Sequence, residues 1–254
     1  NMIIIESTSS IGTTQKVSEL IENNSKISKD KIDFVCCPER VIPGNILQEI
    51  VYNDRILGGL RKESTKKCKN FYQYFCKGQL HETTAETAEL AKLTENSYRD
   101  VNIAFANEIS IICEKLNIKT KDLIKLTNCH PRVNILNPGC GVGGHCVAVD
   151  PNFIVSKFPE ESLLIQAARR VNENKKEWSL NKIKESIKNF KVINNKEPVI
   201  GCLGLSFKPN VDDIRNSPSL DIVNSLKKEG FDILVCEPNL KFHKDLKLDT
   251  LEIT

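Results

Sequence analysis

A chain of 254 residues, 40% of them hydrophobic, can bury a sizeable core as one large domain or two modest ones. Its 36 basic and 33 acidic residues are scattered together and leave a formal charge of only +3, so no broad cationic field for nucleic acid or anionic lipid is implied. No apolar run approaches the roughly 20 residues that span a bilayer, and ten dispersed cysteines with neither signal peptide nor C-x-x-C pair read as reduced thiols in a cytoplasm rather than as disulfides or a metal site.

In chain order, MIIIE is a short β-branched run, followed by the polar turn STSSIGTT and by VSELIENN with helical spacing, hence strand, turn and helix. IDFVCCPE (32–39) and RILGG (55–59) read as two further strands, with an amphipathic helix between Lys62 and Lys77. Strands alternating with helices predict a parallel sheet. From Thr84 to about Leu116 there is no Pro or Gly, and Val101, Ala104, Phe105, Glu108, Ile109 and Ile112 follow the i, i+3, i+4, i+7 rhythm with one polar exception. This predicts one helix of roughly 50 Å, of the kind that connects domains or builds a dimer interface. A second long helix is expected over 161–190. After NNKEP, VIGCLGLSF reads as a buried strand, SPSLDIVNSLKKEG as a capped helix ending on Gly230, and FDILVCEP as a strand.

The resulting expectation is an α/β fold of parallel-sheet domains joined by a long central helix. Both terminal domains are expected to be incomplete, because the first shows no opening βαβ units and the last stops about 55 residues after its start near Pro198.

The segment PGCGVGGHCVAVDP (138–151) has glycines at dinucleotide-fingerprint spacing. A fingerprint needs a strand before it and a helix beginning on its last glycine. Pro138 interrupts the upstream side and Pro151 arrives too soon on the downstream side, so the fingerprint is rejected. Glycines also let backbone approach a ligand closely while presenting the next side chain, here Cys146. A thiol in a positive or polar setting is a candidate nucleophile, and Asp150 stands four residues on to position a water or proton. From the loop alone, Cys146 as a small buried hydrophobe remains equally open. On the long helix Lys92, Asn96 and Arg99 stand at i, i+4 and i+7, a face able to hold an oxyanion and a phosphorylated ligand or simply to be solvated.

The pieces ESTSSIGTT (6–14), CPERVIPG (37–44), AELAKLTENSYRDVNIAFANE (88–108), HPRVNILNPGCGVGGHCVAVDP (130–151) and LGLSFKPNVDDIRNSPS (203–219) occur in that order along nearly the whole chain. In order and spacing they resemble the UDP-glucose/GDP-mannose dehydrogenase family. The resemblance implies Rossmann-like domains, with 1–80 the remainder of an NAD-binding domain, 81–195 a central helical domain and 196–254 the start of a nucleotide-sugar domain. It further implies four-electron oxidation of a sugar C6 alcohol to a carboxylate with NAD as cofactor. PERVIPG and the pair His145–Cys146 before VAVDP point, within the family, to UDP-N-acetyl-D-mannosamine as substrate.

By the same resemblance Cys146 would trap the C6 aldehyde as a thiohemiacetal that becomes a thioester. Lys92 and Asn96 would stabilise the oxyanions, Asp150 and Thr8 would orient a water, and Glu39 would act as general base in the final hydrolysis. Substrate contacts would be Arg40, Val41, Lys92, Asn96, Arg99, His130, Arg132, Gly143 and Lys208, with Arg132 reaching a neighbouring subunit of a homodimer. Ser7 and Thr8 would touch the nicotinamide half of NAD and Arg215 its diphosphate. His145 is read as structural or substrate-shaping. The family's glycine-rich βαβ is absent from this sequence, so the chain by itself is expected to bind NAD poorly. Two rivals stand beside this reading: a catalytically silent module of the same fold, and a two-electron dehydrogenase, which has no use for a nucleophilic cysteine.

Overall fold

The computed structural model describes residues 1–25, 27–28, 31–41 and 45–248. Positions 42–44 of the PERVIPG piece and residues 249–254 of the last predicted domain therefore lie outside the described residues. The chain divides into two compact units, one of residues 1–96 and 152–159, the other of 97–151 and 160–254.

In the first unit, β1 (Met2–Ile5), α1 (Thr13–Ser25) and β2 (Asp33–Cys36) form the strand, helix and strand expected of MIIIE, VSELIENN and IDFVCC. β1 and β2 pair in parallel, Met2 to Asp33 through Ile5 to Cys36. Next come α2 (Ile46–Tyr52), β3 (Arg55–Gly59), α3 (Lys62–Tyr72) and β4 (Leu80–Thr84). The sheet order is β1-β2-β3-β4. β3 and β4 are parallel, but β2 and β3 run antiparallel, which departs from the uniformly parallel sheet expected. A parallel return requires a crossover helix packed on the sheet. α2 buries none of its seven residues, so nothing carries the chain across the sheet face and β3 returns against β2. α3 does pack: Cys68 and Tyr72 join Val35, Cys37 and Leu57 in the core, and the helix ends at Tyr72, earlier than the Lys77 expected.

α4 (Ala85–Lys115) is a single helix of 31 residues and contributes to both units. The apolar stripe is buried only in part: Ala104 is 4% exposed and Val101 and Ile109 are half-buried. Phe105 and Ile112 are 52% and 45% exposed, while Asn96, Asp100 and Asn107 are at most 1% exposed.

The second unit continues through α5 (Thr120–Thr127), whereas α6 (Pro151–Lys157) belongs to the first unit from Asn152 on. α7 (Leu163–Asn194) is the second long helix. β5 (Ile200–Leu203) and β6 (Ile233–Cys236) pair in parallel around α8 (Pro218–Lys228). α8 is bounded as its sequence predicts: the Ser217 hydroxyl caps Leu220 N–H, Pro218 sits in the first turn, and Gly230 takes φ +86° beyond the end. Ile222 and Leu226 pack on Leu180 and Ile187 of α7, and Val223 packs on Val235 of β6. Glu237, just past β6, ties the carboxyl ends of β5 and β6 together through Leu205 and Ser206. Burial would raise its carboxyl, but the N–H groups of Asn239, Leu205 and Ser206 hold it down at about 2.

Candidate functional site

In the first unit the candidate residues gather at the carboxyl ends of β1 and β2, the edge where ligands sit in open α/β sheets. Ser7 is exposed and Thr8 half-buried on the loop leaving β1, and Glu39 N–H bonds the Glu6 carbonyl at 2.8 Å, which ties the two strand ends together. The Glu39 carboxylate accepts from Val41 N–H. Arg40 meets Glu95 of α4 at 2.8 Å and donates to the Asp54 carbonyl at 3.3 Å. Glu95 lies one turn from Lys92, which is half-buried, and next to Asn96, which is 1% exposed.

The turn STSSIGTT is closed by a residue the sequence reading missed. Glu89, itself 1% exposed, accepts from Gly12 N–H at 2.5 Å, Thr14 N–H at 2.8 Å and Thr14 Oγ1 at 2.7 Å. The positive end of α1 thus already holds a carboxylate and offers no room there for a phosphate. One turn on from Glu89 comes Lys92, so the same contact fixes the helix that carries the candidate oxyanion donor.

In the second unit, residues 145–150 after Gly144 form turns, and a helix begins only at Pro151, in keeping with rejection of the fingerprint. The close approach that the glycines permit is to the chain itself. A Cβ on Gly143 would lie 2.6 Å from the Asn216 carbonyl oxygen, 2.7 Å from Pro218 and 2.8 Å from Phe207; one on Gly144, at φ +83°, would lie 2.8 Å from the Phe207 ring. Gly144 N–H bonds the Arg215 carbonyl at 3.1 Å. Lys208, exposed, leans over the same Phe207 ring at 5.9 Å.

From beneath, the loop hangs on a buried polar chain. Gly139 N–H donates to Asn107 Oδ1 at 2.9 Å, Asn107 to Asn172 at 2.9 Å, and Asn172 to Asp100 at 2.8 Å, where Arg169 also binds at 2.8 Å. Burial pushes the Asp100 carboxyl up while Arg169 and Asn172 pull it down. These are the polar positions of α4 and α7, and their signal was the polar residues recurring at helical spacing inside long helices.

At the head of this loop Cys146 is partly exposed, and its carbonyl accepts from Val149 N–H at 3.0 Å and Asp150 N–H at 2.8 Å. Asp150 is 4% exposed. Arg215 stands near enough that a Cys146 thiolate, after Asp213, helps raise its pKa. Other thiols differ: burial pushes Cys36 and Cys68 up to about 12 and raises Cys37 and Cys202, which keeps them protonated.

Arg99 is exposed on α4, and His130 and Arg132 are exposed on the turn after α5, where Arg132 N–H bonds His130 Nδ1 at 3.3 Å. A cleft of about 380 Å³ lined by Arg169, Asn172, Lys176, Pro218 and Asp221 does not include Cys146. Both its cations are paired, Arg169 with Asp100 and Lys176 with Asp221. Among the described residues no three His, Cys, Asp or Glu side chains cluster as metal ligands, and no helix is long and apolar enough to cross a membrane.

Three family models match the sequence: the UDP-glucose/GDP-mannose dehydrogenase family NAD binding domain over residues 1–76, central domain over 86–174 and UDP binding domain over 201–254. A UDP-N-acetyl-D-mannosamine dehydrogenase of Campylobacter jejuni is 51% identical over 250 residues, covering 95% of this chain and 60% of that protein. An NDP-N-acetyl-D-galactosaminuronic acid dehydrogenase of Ralstonia solanacearum is 46% identical, covering 95% of this chain and 58% of that one. The solved UDP-N-acetyl-mannosamine dehydrogenase of Staphylococcus aureus superposes with a TM-score of 0.86 at 43% identity, over 98% of this chain and 59% of the other. The chain thus spans about 60% of the length of these relatives.

Proposed function

The chain belongs to the UDP-glucose/GDP-mannose dehydrogenase family, and from that premise we propose that the whole protein is an NAD-dependent nucleotide-sugar 6-dehydrogenase whose nucleophile is Cys146. The observation that carries the reading is the contrast among thiols. Cys146 is presented on a loop, partly exposed and within electrostatic reach of the Arg215 guanidinium; Cys140, partly exposed on the same loop, meets the Ser219 hydroxyl instead, and Cys36, Cys37 and Cys68 are held protonated by burial.

The residues fit NAD at its nicotinamide end. Ser7 and Thr8 lie at the carboxyl end of a parallel strand, whereas the α1 N-terminus, filled by Glu89, is closed to the pyrophosphate. Bound there, with Arg215 on its diphosphate, NAD would accept the hydride in each of the two oxidations. Cys146 adds its sulfur to the C6 aldehyde and so keeps that carbon from escaping between the steps. Lys92 and Asn96 donate to the oxygen that becomes negative as sulfur adds and again as water adds. Asp150 and Thr8 orient the water, and Glu39 takes its proton, so that the carboxylate leaves and the thiol is restored. Arg40, Val41, Arg99, His130, Arg132, Gly143 and Lys208 hold the nucleotide sugar, the arginines by bidentate contact with diphosphate oxygens.

The sugar is proposed to be UDP-N-acetyl-D-mannosamine, supported by the 51% identity to the Campylobacter jejuni enzyme. The Ralstonia solanacearum relative, at 46%, favours a galacto-configured N-acetyl sugar as the second reading. The division at residues 80 and 195, a cytoplasmic location and supply of an aminouronic acid for a surface polysaccharide belong to the same proposal. So does a homodimer, supported by Tyr98, Phe105, Ile112 and Leu116, which line one side of α4 and are 45% to 69% exposed.

The test is an NADH assay of the whole protein against UDP-N-acetylmannosamine and its gluco and galacto epimers. Two NADH per sugar are expected, with loss of uronate in Cys146→Ala while sugar binding persists. One NADH per sugar, or unchanged acid production by the variant, overturns the reading.

A further inference from the structure

Asp213 has none of the roles described so far, yet it is one of the residues through which the Cys146 loop meets the segment after β5. Its two carboxylate oxygens receive the Arg215 guanidinium as a fork, Oδ1 from Nε at 2.9 Å and Oδ2 from Nη2 at 2.6 Å, and Oδ1 also accepts Arg215 N–H at 3.0 Å. From the loop side, His145 Nδ1 stands 3.7 Å from Asp213 Oδ2. A backbone tie and a side-chain tie hold the segments in register: Gly144 N–H donates to the Arg215 carbonyl at 3.1 Å and Asn216 Nδ2 donates to the Gly144 carbonyl at 3.4 Å. The side chain that follows His145 is Cys146, within electrostatic reach of Arg215.

We propose that Asp213 is a positioning residue that holds the Arg215 guanidinium beside Cys146, so that the paired charges of Asp213 and Arg215 set how readily this thiol ionises. The proposal rests on Cys146 as the nucleophile and deepens that reading. The fork gives Arg215 one orientation where a lone exposed arginine would sample many. It also weakens the field that Arg215 presents: the cation favours the thiolate, and the carboxylate next to it opposes it. The Arg215 contact holds Asp213 itself at about 2, with His145 adding a smaller pull, so the carboxylate is charged at every pH at which the thiol titrates. In this unit the other titratable or charged groups on the loop and its partner segment are His145, 50% exposed, Asp150, 4% exposed, and the exposed Lys208 and Asp212. All four remain unchanged in the variants below.

The measurement is the rate of iodoacetamide alkylation of Cys146 against pH, followed on the Cys146 peptide by mass spectrometry in the whole protein. Arg215→Gln removes the cation and is expected to slow alkylation at pH 7 by about two- to fivefold, the scale of one partly solvated charge. Asp213→Asn keeps an oxygen acceptor for the guanidinium but removes the negative charge, and is expected to speed alkylation by a similar factor. A merely structural role would move both variants in the same direction or neither, and either outcome overturns the proposal. The readout does not pass through turnover. Uronate formation by Cys146→Ser, by contrast, would sink the nucleophile reading while leaving the alkylation result to stand.

Discussion

The two small-residue loops of this chain, STSSIGTT in the first unit and PGCGVGGHC in the second, are alike on paper and opposite in use. The first ends at a helix, and that helix end is filled from within by Glu89, a carboxylate already in place for three donors. The second ends in turns, and its glycines serve to let the backbone lie against Phe207, Asn216 and Pro218. Glycine and serine in a loop do not by themselves make a phosphate cradle. What fills the space that the missing side chains leave decides the role, and in both loops the chain fills it.

This contrast can be broken first at Gly143. Gly143→Ala drives a methyl to 2.6 Å from a backbone oxygen that cannot rotate away, and should cost about 3 kcal/mol of stability or free the loop outright, while Gly139→Ala, whose nearest neighbour is 3.6 Å off, should melt like the parent. Equal melting temperatures for the two variants would remove the clasp. Next in size, Glu89→Ala strands the N–H groups of Gly12 and Thr14 and should cost about 2 kcal/mol, seen as a lower urea midpoint with an unchanged slope. If added phosphate restored the midpoint, the helix end would be an anion site after all.

The smallest effect concerns Glu237, which anchors Leu205 and Ser206, the start of the segment that clasps the second loop. Its pKa is depressed from 4.5 to about 2, so its contribution is present above 4.5 and is lost as pH falls toward 2. Between those values the parent should lose stability that Glu237→Gln does not lose. Parallel acid curves would show that the anchor contributes nothing.

Much of the fold could be read from the chain. The β-branched run at 2–5, the apolar run at 34–36, and the Ser217–Pro218 start and Gly230 stop of α8 state their structure locally. β4 does not: LHETT is polar and only two of its five residues are half-buried, so it lacks the alternation that marks a strand. The reversal between β2 and β3 depends on what α2 fails to pack, which no local pattern records. In the candidate site, Cys146 and Lys92 are proposed from their chemistry, whereas Glu89 and Asn107 act on partners 32 to 77 positions distant and Asp213 acts through a neighbour's charge. Distance in sequence removed their signal. The apolar rhythm of α4 does not say which side is buried: the buried side joins Asp100 and Asn107 to Asn172 and Arg169, and Phe105 and Ile112 are left exposed.

One consequence follows from the course of the chain after Asp150. The backbone leaves the second unit at Pro151, supplies residues 152–159 to the first, and goes back. Within that excursion Lys157 Nζ bonds the Ile11 carbonyl at 2.7 Å and lies against Gly12, beside the turn that Glu89 closes. A contiguous excision of residues 1–96 would therefore leave a carbonyl bare and a strap behind. Shuffling these modules between relatives, or grafting one onto a new scaffold, would have to carry an eight-residue splice from far downstream to keep the transplanted piece whole.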